Sequence, residues 1–130
     1  MKQRNTADRF LGITPYLLYD DAPSAADWLV RHFGFEEAGR YHDGKGIVTN
    51  IELHVGDNEI WLDNHPEYWA KAGRKPEQWI GVWVTDVDEH RKRVIDRGAK
   101  VGPLRERDHG VREFSVEDPQ GYVWGFLQRI

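Results

Sequence analysis

The chain has 130 residues, with 22 acidic and 18 basic side chains, a net charge of −4 and no cysteine. That length suits one domain able to bury a core unaided, and the missing thiols exclude disulfides, thiolate metal sites and cysteine nucleophiles. The acidic balance lacks a nucleic-acid binder's basic footprint, no apolar run nears the roughly 20 residues of a membrane span, and the polar start Met1-Lys2-Gln3-Arg4-Asn5 has no secretion-signal core, so a soluble cytoplasmic protein with neither nucleic acid nor membrane as partner is expected.

Residues 1–9 read as a flexible leader and 10–130 as a single domain. Residues 13–19 predict a strand. Asp20-Asp21-Ala22-Pro23 then opens a helix, because Asp21 can cap free backbone N–H groups and proline is tolerated in a first turn. Ala25, Leu29 and Phe33 form its apolar stripe, Trp28 lies on the same helix, and Gly34 supplies a left-handed stop. Residues 48–55 alternate, with Ile51, Leu53 and Val55 on one face, and Gly56-Asp57-Asn58-Glu59 predicts a tight turn into Ile60-Trp61-Leu62-Asp63. A two-residue loop at Asp57-Asn58 would set His54 opposite Trp61 and Glu52 opposite Asp63, all four on the less apolar face. Residues 64–78 read as a linker.

The second half repeats this grammar from Trp79-Ile80-Gly81-Val82. Asp86 caps a helix, Glu89 completes a capping-box pattern, Val87, Arg91, Val94 and Ile95 share one face, and Gly98 ends it. Strands at 111–116 and 122–127 flank Glu117-Asp118-Pro119-Gln120-Gly121. Trp124 and Phe126, opposite in parity to Gly125, are expected under the helices, with Gly125 leaving space on the other face. Matched landmarks keep a steady offset: 86−21 is 65, 98−34 is 64, 79−14 is 65 and 125−61 is 64. A repeat of this length, present twice, predicts two fused half-domains rather than a solenoid. The fold class is α+β: two βαβββ modules at about 10–63 and 79–130, forming a cupped mixed sheet with helices outside.

The doubled βαβββ plan, with Asp118-Pro119-Gln120-Gly121-Tyr122 before the last strand, resembles the vicinal oxygen chelate superfamily of glyoxalases, extradiol dioxygenases, fosfomycin-resistance enzymes and bleomycin-resistance proteins. The resemblance implies a divalent metal held by His, Glu or Gln from the first and last strands of each half. Those positions fall here on Thr14, Trp61, Trp79 and Gly125. Indole and glycine offer no chelating lone pair, and a neutral hydroxyl is a feeble ligand. Metal and cofactor are therefore both expected to be absent, and no catalytic residue is assigned. Ile13-Thr14-Pro15 and Asp63-Asn64-His65-Pro66-Glu67 look similar to the metal-free bleomycin-resistance branch, which implies a homodimer that sequesters a drug.

Strand alternation places Tyr16, Glu52, Trp61, Asp63, Trp79 and Trp83 on the concave side, with Arg112 and Glu113 near its rim, and His54 and Phe114 complete the expected ligand-binding set. Flat aromatic walls with a few carboxylates suit a planar or cationic small molecule. The expected function is ligand sequestration of the antibiotic-resistance type. The alternative is a metal-dependent glyoxalase-like lyase or isomerase, or a dioxygenase, working from a non-standard site at Glu52, His54 and Asp63.

Overall fold

The computed structural model describes residues 10–73, 78–108 and 110–130. The expected leader, residues 1–9, lies outside the described residues. In chain order the elements are β1 (Tyr16–Tyr19), α1 (Ala22–Phe33), β2 (Glu36–His42), β3 (Val48–Val55), β4 (Asn58–Asn64), α2 (Pro66–Ala72), β5 (Trp79–Trp83), α3 (Val87–Asp96), β6 (Arg105–Arg107), β7 (Val111–Glu117) and β8 (Val123–Arg129). They build two four-stranded sheets with matching orders, β1-β4-β3-β2 and β5-β8-β7-β6. In each, the first strand runs parallel to the last and the others are antiparallel. This is the α+β arrangement of two βαβββ modules.

The longer helices, α1 and α3, are bounded by the residues at their ends. Asp21 accepts from the Ser24 N–H at 3.1 Å, Asp86 accepts from the Glu89 N–H at 3.0 Å, and Gly34 ends α1 at φ 84°. A second cap repeats across the modules. The Asn64 side-chain carbonyl takes the Ala22 N–H at 2.8 Å, and 64 residues on, the Gln128 carbonyl takes the Val87 N–H at 2.8 Å. Each last strand thus secures the helix of its own module.

One core serves both sheets. Leu29 and Phe33 of α1 are buried with Leu17, Ile51, Leu53 and Leu62 of the first sheet. Burying each such side chain stabilises by about 1.5–3 kcal/mol. Phe33 also packs its ring against Trp124 and Phe126 of β8, centroids 5.7 and 4.9 Å away. His90 on α3 lies 4.4 Å from the Phe126 ring, and its Nε2 is buried without a hydrogen-bond partner among the described residues. The helix-covered faces therefore meet in the middle, and each sheet leaves its other face open on the outside.

The Asp-Pro-Gln-Gly turn clamps the modules together. Asp118, buried at 4% exposure, accepts from the Tyr19 hydroxyl at 2.6 Å, the Trp124 indole at 3.1 Å and the Gln120 and Tyr122 N–H groups. Gln120 in turn takes the Asp21 N–H and donates to the Asp21 carbonyl at 2.7 Å, tying the turn to the start of α1.

Three expectations change. The first strand begins at Tyr16 rather than at residue 13: Pro15 has no N–H for a ladder, and Ile13 is exposed without strand pairing. The β3–β4 hairpin turns at Gly56-Asp57, one residue early, because Gly56 at φ 60° takes the first central position that a primed turn requires. Within the span read as a linker, residues 66–72 form α2, whose Trp69 indole donates to the Leu18 carbonyl at 2.8 Å.

Candidate functional site

The open face of the first sheet gathers Tyr16, Glu52, Trp61 and Asp63, since their strand neighbours Leu17, Ile51, Leu53 and Leu62 are committed to the core. Register sets Tyr16 and Glu52 on either side of Trp61. The Tyr16 and Trp61 rings are 5.0 Å apart at 48°. The Trp61 indole N–H donates to Glu59 at 3.0 Å. Glu52 is held above the ordinary carboxylate value, first by loss of water contact and then by the neighbouring Glu59 carboxyl, while the Tyr41 hydroxyl pulls it back. An aromatic pair bordered by two acidic groups that repel one another would be relieved by a flat cation.

On the second sheet the open face carries Trp79, Gly81 and Trp83 of β5 beside Gly125 and Leu127 of β8. Trp79 is 66% exposed. One face of Trp83 is taken by the Arg129 guanidinium, 4.3 Å from the ring centroid. Where the sheet edges approach, a cleft of about 260 Å³ opens between Ile13, Pro15, Glu59 and Ile60 on one side and Ile80, Gly81 and Trp83 on the other.

Against this geometry, residues 9–126 match the family model for the Glyoxalase/Bleomycin resistance protein/Dioxygenase superfamily. The chain belongs to this superfamily. It is 30% identical over 126 residues to an uncharacterized protein of Mycobacterium tuberculosis (strain ATCC 25618 / H37Rv), covering 91% of this chain and 74% of that one. Among solved structures it is similar to TioX from Micromonospora sp. ML1, with 30% identity, a TM-score of 0.75, and coverage of 93% and 100%. It also shares its fold with the bleomycin-binding protein of bleomycin-producing Streptomyces verticillus, solved with copper(II)-bleomycin, at 23% identity, TM-score 0.70, and coverage of 92% and 96%.

The metal positions of superfamily enzymes do not fit a chelated ion in this chain. Trp61 and Trp79 present indole rings, Gly125 presents no side chain, and Thr14 precedes β1 on an exposed segment. Among the described residues no three His, Cys, Asp or Glu side chains group closely enough to hold a metal. The alternative grouping of Glu52, His54 and Asp63 does not assemble either. The turn at Gly56-Asp57 shifts the register by two, so His54 faces Glu59, Glu52 faces Trp61, and Asp63 faces Asn50. His54 and Asp63 then lie about four residues apart along the hairpin, roughly 13 Å.

Two residues of the expected binding set, Phe114 and Arg112, leave the open face. Phe114 is 1% exposed and stacks on Phe126 at 5.1 Å beneath α3, because parity with Val116 turns it to the core. Arg112 reaches the helix side, where Asp88 of α3 accepts from its Nε at 3.1 Å and its Nη2 at 3.0 Å, and Glu106 from its Nη1 at 3.2 Å. That fork holds Arg112 above and Asp88 below their usual values. Glu59 and Tyr41 join the acidic corner without having been expected there. Glu59 belongs to β4 rather than to the expected Gly56-Asp57-Asn58-Glu59 turn, and its alternation with Trp61 and Asp63 is the signal for that face.

Proposed function

We propose that this superfamily member is a metal-independent binding protein that sequesters an aromatic, cationic small molecule in the cytoplasm, as a homodimer, in the manner of drug-resistance binders. The observation that carries the reading is the Tyr16–Trp61 pair held beside Glu52 and Glu59 on an uncovered sheet face. Stacking and cation–π attraction there would supply affinity, and the carboxylates would orient the positive group. The copper(II)-bleomycin bound by the Streptomyces verticillus relative of this fold supports a bulky aromatic ligand.

Dimerisation is supported by what one chain leaves uncovered. Phe10, Leu11 and Ile13 are 84%, 102% and 92% exposed, an apolar run left almost wholly in solvent. The two open faces lie on opposite sides of the core, so a second copy is what would bring a Trp61 face against a Trp79 face.

Titrating copper(II)-bleomycin into the protein tests the reading through tryptophan fluorescence. Saturable quenching is expected, weakened about tenfold or more by Trp61→Ala. Trp28→Ala, which removes a ring stacked on His32 of α1, should leave it within about twofold. Equal effects of the two substitutions would count against the site. One firmly held metal ion per chain in purified protein would overturn the metal-independent part.

A further inference from the structure

Arg105 and Arg107 stand two residues apart on β6 and line, with Trp79, Glu113, Ser115 and Gly125, a small hollow on the open face of the second sheet. The two guanidiniums are not equivalent. Arg107 donates its Nε to Glu113 at 2.6 Å, so that carboxylate is already neutralised. The Arg105 guanidinium makes no hydrogen bond or ion pair among the described residues, which leaves one net positive charge at the hollow.

The floor is bare. Ser115 and Gly125 are paired across β7 and β8, and a Cβ on Gly125 would meet no atom nearer than the Ile80 carbonyl oxygen at 4.0 Å. The Ser115 hydroxyl has no partner among the described residues. Trp79 forms one wall with its ring largely in solvent. The space amounts to about 30 Å³, room for a carboxylate rather than a ring.

We propose that this hollow is an anion subsite: Arg105 and Ser115 take the carboxylate of an aryl carboxylate whose ring lies on Trp79, with Gly125 providing the clearance. A planar fork with a single free guanidinium matches a carboxylate. A phosphate needs more room and more donors than the hollow offers. The subsite rests on the reading of the open faces as ligand surfaces, and it adds an acidic group to a ligand whose positive group the first sheet would take.

Chemical-shift titration of the Trp79 indole signal, identified with Trp79→Phe, separates the two ideas. The probes are 2-naphthoate and its neutral analogue 2-naphthalenemethanol. Naphthoate should bind at least about tenfold more tightly than the alcohol. Arg105→Gln, at an exposed position, should abolish that preference while leaving the alcohol unchanged. Gly125→Ala, whose added methyl comes no closer than 4.0 Å to any described protein atom, should weaken naphthoate by a similar factor. Equal binding of acid and alcohol by the unaltered protein, or a preference that survives Arg105→Gln, would overturn the anion subsite alone. If neither probe moves Trp79, the subsite falls together with the reading of the second sheet as a ligand surface.

Discussion

Asp118 carries more buried hydrogen bonds than any other side chain named above, and its four donors come from both modules. Asp118→Ala leaves them without an acceptor, so a loss of about 3–5 kcal/mol in urea denaturation is expected, against about 1–2 kcal/mol for Tyr19→Phe. Near-equal losses would mean the carboxylate is not the centre of the clamp. Burial, with Asp118 close by, drives the Tyr19 phenol far above its usual value, and burial raises Tyr122 to about 12. Both groups hold their protons longer folded than unfolded. The stability they contribute is therefore complete below about pH 10 and falls as pH rises beyond it. His90 has the opposite sign: burial first, then Arg93 and Arg97, depress it to about 4. Its contribution is present above about pH 6.5 and is lost as the pH drops toward 4, by about 1–2 kcal/mol once its solvent-facing part is discounted. His90→Phe should flatten that acid limb in a series of urea melts between those pH values.

At the scale of elements, end signals were legible and register was not. Asp21, Gly34 and Asp86 are local instructions, readable because a cap needs only its own first turn. Asp21→Ala and Asp86→Ala should each cost about 1 kcal/mol in thermal or urea melts, and a null effect would show that Asn64 and Gln128 carry the helix starts instead. The hairpin's turn is ambiguous in the sequence because Gly56-Asp57 and Asp57-Asn58 both look like turns; the positive φ at Gly56 decides. The two turns differ by two residues in pairing, an even number, so every side chain keeps its face under either and the Tyr16–Trp61 corner is the same. Phe114 and Arg112 were not legible for another reason: parity in β7 is set by packing against α3, which no short window contains. Ile95, expected on one face with Val87 and Val94, is 43% exposed, because it is Val87, His90 and Val94 that turn toward the core.

For the whole molecule, the 64-to-65-residue offset announced the architecture, and the repeated sheet order bears it out. The repeat could not announce how the halves meet, since Phe33 on β8 and Tyr19 on Asp118 are contacts between modules rather than within one. Those contacts predict one cooperative transition, with helix and tryptophan signals coincident on heating; two separated transitions would contradict the shared core. The proposed homodimer predicts twice the chain mass in sedimentation, and a shift to monomer in the Leu11→Asp, Ile13→Asp double variant. The clamp also breaks the internal symmetry. Sixty-five residues after Tyr19 the chain has Val84, which carries no hydroxyl. A tandem duplicate of the second half would thus bury Asp118 opposite an aliphatic side chain, and one of the first half would bury a phenol with no carboxylate to receive it. Each half supplies what the other lacks, so a symmetrised version of this chain would have to rebuild that pair from scratch.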